Sequence, residues 1–255
     1  MTKAKHFAVA DTETTGLGSR AIVFDFAYSV VTRKETVLTR SFLVREIITN
    51  PKIMLRAVDD ENWRQSFGGK LFSHYIPELD KGGLRIYPWH EIIRTFHDDM
   101  RTHNVKVFSA YNLNFDAKAL QRTQEIIAGK DKILPFKMDL LDLWKFACVT
   151  VLNTKLYHDV ARRMGQDTGF VTPADNVRTT AEKTYAFLTG DLSFIEAHTA
   201  REDVEIETEI LQRILAKKTR IPYNEVEPHA WRLAQAFKTR GLPQRFDADL
   251  FDTSQ

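Results

Sequence analysis

Two acidic side chains follow the first apolar segment of the sequence at a spacing that could hold a metal ion. Phe7-Ala8-Val9-Ala10 is typical of a short buried strand, and Asp11 and Glu13 come directly after it. Because side chains alternate between the two faces of a strand, both carboxylates are predicted on one face. Like charges at this separation repel unless a cation such as Mg²⁺ or Mn²⁺ binds them. The alternative is that the pair serves a turn at the strand end.

A third acidic side chain, Asp116, lies near the start of a predicted helix. It follows residues 105–111, which have the pattern of a buried strand, and helical spacing covers residues 115–128. Ligands of open α/β sheets bind at such strand-to-helix junctions. The alternative is that Asp116 caps the helix, because negative charge is favourable near a helix N-terminus.

His198 and Asp203 open the longest helical pattern of the chain, at about residues 199–218. Five residues on a helix rotate by roughly 140°, so the two side chains do not share a face if both lie in regular helix. We therefore place His198 in the loop or first turn, over a site that Asp203 reaches from the helix. The alternative for His198 is a surface or capping residue.

The order of strands and helices predicts how these side chains are positioned. β-branched and aromatic residues predict an antiparallel meander from strands near 7–10, 22–31 and 36–44. Later strands are predicted at 105–111 and 136–140. Helical spacing covers 88–100, 115–128, 141–149, 155–164, 178–189 and 199–218. Strands first, then strands alternating with helices, predict an α/β fold with a mixed sheet.

Two segments interrupt this pattern. Residues 46–64 have helical character after Pro51, whereas residues 66–87 contain two Gly-Gly pairs and are typical of a loop or hairpin. Residues 166–176 form a polar break. We expect these segments to be insertions in the sheet-and-helix core.

Composition excludes several classes of protein. The net charge of +2 argues against a strongly basic nucleic-acid binder, so a charged partner must meet a local patch. The single cysteine, Cys148, excludes an intramolecular disulfide framework and a cysteine-cluster zinc site. The N-terminus lacks a signal-peptide core, and no apolar run approaches the ~20 residues of a membrane span. We expect a soluble, cytoplasmic protein with no membrane contact.

Basic charge gathers towards the C-terminus. Residues 211–245 contain eight lysines and arginines against two acidic residues. The helical stretch 229–238 has an apolar stripe and a basic face. It is either a solvated helix docked by Trp231 and Phe237, or a surface that binds nucleic acid or a partner.

Three segments together resemble the DEDDh subgroup of the DnaQ-like (RNase T-like) 3′-to-5′ exonucleases. The first motif, D-x-E-T-T-G-L, matches residues 11–17; the second, N-x-x-F-D-x-x-x-L, matches 112–120; the third, H-x-A-x-x-D, matches 198–203. Residues 138–143 look like the family's D-T-L-x-L segment, with Leu140 where Thr is commoner. The segment 185–190 is similar in style to phage-encoded members.

The resemblance implies an RNase H-like fold with a five-stranded mixed sheet, the antiparallel meander first and parallel strands after it. It covers about residues 6–217. We expect an exonuclease domain at 1–218, with insertions near 45–87 and 166–190, and a basic helical extension at 219–255.

The resemblance also assigns roles at the site. It implies two Mg²⁺ or Mn²⁺ ions bound by Asp11, Glu13, Asp116 and Asp203, with His198 as the general base. It implies that Thr14, Gly16 and Asn112 lie along the terminal nucleotide and that Leu17 wedges against the last base. A plain turn for Gly16 and a core contact for Leu17 are the alternatives.

The implied reaction releases nucleoside 5′-monophosphates from the 3′ end of nucleic acid, with single-stranded DNA preferred because of the phage-like features. RNA or short oligonucleotides are alternative substrates of the same motif set. A homodimer or a replication-complex partner is compatible with this function. The alternative from another functional class is a non-catalytic nucleic-acid-binding module. Absence of one of the four motif carboxylates would favour it, but all four are present.

Overall fold

Six strands form one mixed sheet in the computed structural model, which describes residues 5–16, 21–53, 71–129, 132–196 and 198–240. The strands are β1 Phe7–Thr14, β2 Val23–Val31, β3 Thr36–Val44, β4 Ile86–Tyr87, β5 Val107–Ala110 and β6 Asp139–Asp142. Their order is β4-β3-β2-β1-β5-β6. The β1–β2 and β2–β3 pairs are antiparallel, and the β3–β4, β1–β5 and β5–β6 pairs are parallel.

The predicted α/β class and the meander followed by parallel strands are confirmed. The strand number differs, because the sheet has six strands instead of five. The additional strand, β4, has two residues and pairs with Leu43 and Val44 at the edge of the sheet. So short a strand has no hydrophobic period of its own, which is why the sequence pattern missed it.

Helices cover both faces of the sheet. They are α1 Arg45–Ile48, α2 Ile76–Asp80, α3 Trp89–Thr102, α4 Leu113–Ala128, α5 Leu143–Ala147, α6 Lys155–Met164, α7 Ala181–Thr189, α8 Ala200–Lys217 and α9 Trp231–Arg240. Two π-helical turns, Leu71–Tyr75 and Cys148–Leu152, lead into α2 and out of α5 respectively. None of the helices in the described ranges is long and apolar enough to cross a membrane.

The alternation of β1 separates two hydrophobic cores. Ala8 and Ala10 pack in one core with residues of α3 and α4, and Phe7 and Val9 pack in the other with residues of α5 to α8. All residues of β2 are buried, because helices cover both of its faces. The odd-numbered positions of β1 therefore face the same side of the sheet as α8.

Aromatic packing fixes α3 against the sheet. The Phe96 ring lies 5.1 Å from Tyr28, 5.8 Å from Phe26 and 6.1 Å from Phe108, measured between ring centroids. The Tyr28 hydroxyl donates a hydrogen bond to Asp99 of α3 at 2.7 Å. Helix α3 thus packs on both β2 and β5 through buried aromatic rings.

Part of the segment 66–87 is helical, not a hairpin. The π-helical turn Leu71–Tyr75 continues into α2, and Gly82 (φ 73°) follows where the chain turns back to β4. In the predicted helix at 46–64, Arg45–Ile48 and residues 51–53 are helical, and residues 54–64 lie outside the described part.

The C-terminal extension packs along β6. The Asn224 backbone N–H donates to the Leu140 carbonyl at 2.7 Å, and the Leu140 N–H donates to the Asn224 side chain at 2.9 Å. Helix α9 is docked by the buried Ala230 and Ala234, whereas Trp231 is 38% exposed. The predicted anchoring role of Trp231 is therefore wrong, and the side chain of Phe237 lies outside the described part.

Replacing Phe96 by alanine should lower the free energy of unfolding by about 3–5 kcal/mol, because it leaves a cavity among buried rings. Denaturant unfolding followed by circular dichroism measures the loss. Ile126→Ala is the control, since Ile126 is 53% exposed and its truncation should change stability by less than about 0.5 kcal/mol. Equal effects of the two variants would contradict the described core.

Candidate active site

The site begins where β1 extends beyond its neighbour. Strand β5 pairs with β1 only over Phe7–Val9, so the later residues of β1 have no strand on that side. Asp11 and Glu13 occupy odd positions of β1 and lie on the face covered by α8, as the alternation predicts. Both side chains are half-buried.

Asp116 lies beside the part of β1 that β5 does not pair with. It lies in the first turn of α4 and is 2% exposed. The Thr12 hydroxyl donates to Asp116 Oδ1 at 2.8 Å, and the Thr12 backbone N–H also bonds this carboxylate. The N-cap of α4 is Asn112, so Asp116 is not the N-cap residue, although it lies in the first turn, where negative charge is favourable.

Helix α8 brings Asp203 over the same strand. Ala200 and Val204 pack against Ala27, which is the β2 partner of Asp11. This contact seats the first turn of α8 on the sheet beside the end of β1. Asp203 lies in that turn and is 8% exposed.

His198 lies in the loop directly before the N-cap of α8, as predicted. Its backbone has a positive φ of 57°, and its side chain is 56% exposed. The Nδ1 atom lies 3.2 Å from Oε2 of Glu196. The imidazole is therefore at the solvent side of the acidic cluster.

Burial and mutual repulsion raise the pKa values of the predicted ligands. The pKa of Asp11 lies well above its ordinary value, first because of burial and then because of the charges of Asp116 and Asp203. Burial raises the pKa of Asp116 to about 7, against the hydrogen bonds from Thr12 that lower it. These groups favour the neutral form in the protein without a bound cation.

The pKa of Asp203 is raised to about 10. The largest cause is burial, followed by the charges of Glu196, Glu13 and Glu207. The Asp203 carboxyl also forms a hydrogen bond with Glu196. The predicted acidic ligands thus lie close enough for their charges to affect one another's pKa values. They are Asp11, Glu13, Asp116 and Asp203.

Sequence reasoning missed Glu207, one helical turn after Asp203. Its carboxylate is 2% exposed, and burial followed by the charge of Asp116 raises its pKa. It accepts a hydrogen bond from the Tyr111 N–H at 3.0 Å, directly after β5. The i, i+4 spacing to Asp203 was a signal that could have found it.

A buried aspartate on β2 lies beside the site. Asp25 is the cross-strand partner of Glu13 and is 1% exposed. Its Oδ2 accepts from the Tyr75 hydroxyl at 3.1 Å and from the Ala200 N–H at 3.3 Å. Asp25 therefore ties the segment before α2 to the start of α8.

The predicted substrate-binding residues are partly described. Thr14 is buried, and its hydroxyl donates to the Gly16 carbonyl at 2.7 Å. A Cβ added to Gly16 would meet no atom of the described residues within 4 Å, so this backbone is open to approach. Asn112 is half-buried and left-handed, with φ 65°. Leu17 lies outside the described residues.

The donor set fits a hard divalent cation. Asp203 Oδ1 is buried and has no hydrogen-bond partner among the described residues, so one carboxylate oxygen is available to a metal. Glu196, His198 and Asp203 form a group whose ligand atoms all lie within 4.8 Å of one another. Asp11, Glu13 and Asp116, which the sequence predicts as ligands, are not part of that group. Carboxylate oxygens are the ligands that Mg²⁺ and Mn²⁺ prefer.

No protein-family model and no curated protein matches the sequence. Among solved structures, the chain is similar to exonuclease X in complex with 5′ overhanging duplex DNA. The identity is 16% and the TM-score is 0.37, with 89% of this chain and 99% of that chain covered.

The metal-free protein should lose stability as the pH rises from about 5 to 8. The folded-state pKa values of Asp116 and Asp203 lie above the unfolded value of 3.8, so the folded state holds extra protons in this range. Each extra proton gives a slope of about 1.4 kcal/mol per pH unit. Thermal unfolding is measured against pH in two buffers, one with EDTA and one with Mg²⁺. The slope of stability against pH should be smaller in Mg²⁺.

The matched variant is Asp203→Asn, which removes one of the raised pKa values. Its pH dependence in EDTA should be shallower than that of the natural protein. Stability that rises with pH over this range would contradict the described burial of the acids.

Proposed function

We propose that the protein is a metal-dependent 3′–5′ exonuclease that releases nucleoside 5′-monophosphates from DNA. The observation that carries the proposal is the convergence of three distant segments on one buried acidic cluster. Asp11 and Glu13 come from β1, Asp116 from α4 and Asp203 from α8, and their charges act on one another. The resemblance of these same segments to the DEDDh exonucleases supports the assignment.

The acids have the properties that a phosphodiester hydrolase needs. Two divalent cations, when bound, would stabilise the charge that develops on the phosphate and lower the pKa of a water molecule. The carboxylates of Asp11, Glu13, Asp116 and Asp203 would hold these cations. Thr12 fixes the Asp116 carboxylate through its hydroxyl, so this ligand is oriented before any cation binds.

His198 is the general base in this proposal. Its exposed ring lies at the solvent side of the cluster, next to Glu196. The ring would take a proton from the attacking water as the water oxygen bonds to phosphorus. The bond from phosphorus to the 3′ oxygen then breaks, and that oxygen takes a proton from solvent water. The products are a nucleoside 5′-monophosphate and a shortened strand.

The remaining expectations form part of the proposal. Direction from the 3′ end and the preference for single-stranded DNA rest on the resemblance, as do the roles of Thr14, Gly16, Leu17 and Asn112. We also propose that residues 1–218 form the exonuclease domain, that residues 219–255 form a basic extension, and that the protein acts in the cytoplasm.

One panel of labelled substrates tests the function. Single- and double-stranded DNA and RNA, labelled at the 5′ or the 3′ end, are incubated with Mg²⁺, Mn²⁺ or EDTA. We expect a ladder from the 5′ label, mononucleotide from the 3′ label, and no products in EDTA. Degradation of RNA alone would favour the ribonuclease alternative. Binding without cleavage in every metal would favour a nucleic-acid-binding module.

Asp11→Asn and Asp203→Asn should abolish nuclease activity, because each removes a proposed metal ligand. The fold should be retained, because an amide avoids the cost of burying a charged carboxylate there. Initial rates on 5′-labelled DNA, with circular dichroism as the folding check, measure both effects. Asp159→Asn is the control, since Asp159 is exposed and pairs with Lys155 on the surface of α6. Full activity in either site variant would overturn the assignment.

His198→Ala should lower the rate by about 10²–10⁴, the range typical of a lost general base, while metal binding persists. Rates at saturating Mn²⁺ and the dissociation constant of Mn²⁺ are measured on the same preparation. A loss of metal affinity as large as that of Asp203→Asn would make His198 a ligand instead of a base.

A further inference from the structure

The loop before α8 buries an acid and exposes a large apolar side chain. Ile195 is 81% exposed, whereas the side chain of its neighbour Glu196 is 8% exposed. This arrangement is opposite to the usual preference, because burial of a carboxylate without a partner is costly. Some interaction at the inner position must favour the carboxylate of Glu196.

Two side chains of the described residues, His198 and Asp203, interact with the Glu196 carboxylate. His198 is the basic side chain within ion-pair distance of Glu196 among the described residues, and its ring is 56% exposed. Asp203 shares a hydrogen bond with Glu196, which requires a proton on one of the two carboxyl groups. Two buried acids held this closely need a cation or a proton between them.

Geometry agrees with a cation. The ligand atoms of Glu196, His198 and Asp203 lie within 4.8 Å of one another, and Asp203 Oδ1 is buried without a hydrogen-bond partner in the described ranges. Opposite ligands of Mg²⁺ are roughly 4 Å apart, because each lies about 2.0–2.1 Å from the ion. The 4.8 Å limit on these atoms is therefore similar to the span of one coordination sphere.

We propose that Glu196 is a further ligand of the divalent cation that Asp203 binds, so that the loop before α8 completes the metal site. This inference rests on the proposed function. The proposal adds to the metal site an acid that lies outside the three sequence motifs. It explains why the Glu196 side chain is buried. It also places the His198 ring next to a metal ligand, at 3.2 Å from Glu196.

Mn²⁺ titration of the full chain without nucleic acid, followed by electron paramagnetic resonance of the free ion, tests the proposal. Glu196→Gln should raise the dissociation constant by about 10- to 100-fold. Glu205→Gln is the matched control, because Glu205 is an exposed acid of α8 that pairs with Arg201, and it should bind as the natural protein does. An unchanged dissociation constant in folded Glu196→Gln would overturn the proposal.

A second measurement needs no variant. In protein labelled with ¹³C at glutamate carboxyl groups, Mg²⁺ should shift the Glu196 resonance and leave that of Glu205 in place. A Glu196 resonance that does not respond to saturating Mg²⁺ would overturn the inference even if Glu196→Gln failed to fold.

Failure of this inference differs from failure of the proposed function. Metal-dependent nuclease activity combined with an unchanged dissociation constant in Glu196→Gln would reject only the role of Glu196. Weakened Mn²⁺ binding in Glu196→Gln, in a natural protein that cleaves no nucleic acid, would support the Glu196 ligand and reject the exonuclease.

Discussion

Burial of several carboxyl groups close to one another is the constraint on which the site depends. Asp11, Asp116, Asp203 and Glu207 all have raised pKa values, and in each case burial is the largest cause. A fold that only had to be stable would separate these groups or pair them with lysine or arginine. This fold instead packs them from three elements at one place. A bound cation would offset the energy that the arrangement costs, and metal affinity would then be coupled to the stability of the chain.

The scaffold meets this constraint with ordinary contacts placed close to the acids. Strand β1 runs past the end of β5, which leaves backbone N–H groups for the Asp116 carboxylate. Small side chains, Ala27 and Ala200, let α8 approach the sheet closely enough to present its first turn. Asp25 then bonds the first N–H of that helix. Groups of Thr12 thus orient Asp116, and small side chains together with one hydrogen bond to Asp25 orient the start of α8.

Sequence periodicity predicted the features that depend on one strand or helix, whereas features that depend on tertiary packing could not be predicted from it. The shared face of Asp11 and Glu13 follows from alternation along one strand, and the loop position of His198 follows from helical rotation. Glu207 was accessible to the same reasoning, because it lies one turn from Asp203. Glu196 was not, since a residue in an irregular loop has no period that indicates which way it points. The two-residue strand β4 escaped detection for the same reason.

The pairing of Asn224 with Leu140 has a consequence for any shortened form of this protein. Strand β6 is the last strand of the sheet, and the extension supplies hydrogen-bond partners along its open side. Unpaired strand edges are templates for association with other chains. A chain cut before residue 219 would expose this edge together with the apolar surface beneath Ala230 and Ala234. The extension therefore covers an edge that would otherwise be open to self-association. Aggregation of a truncated protein would not test whether residues 219–255 bind a partner.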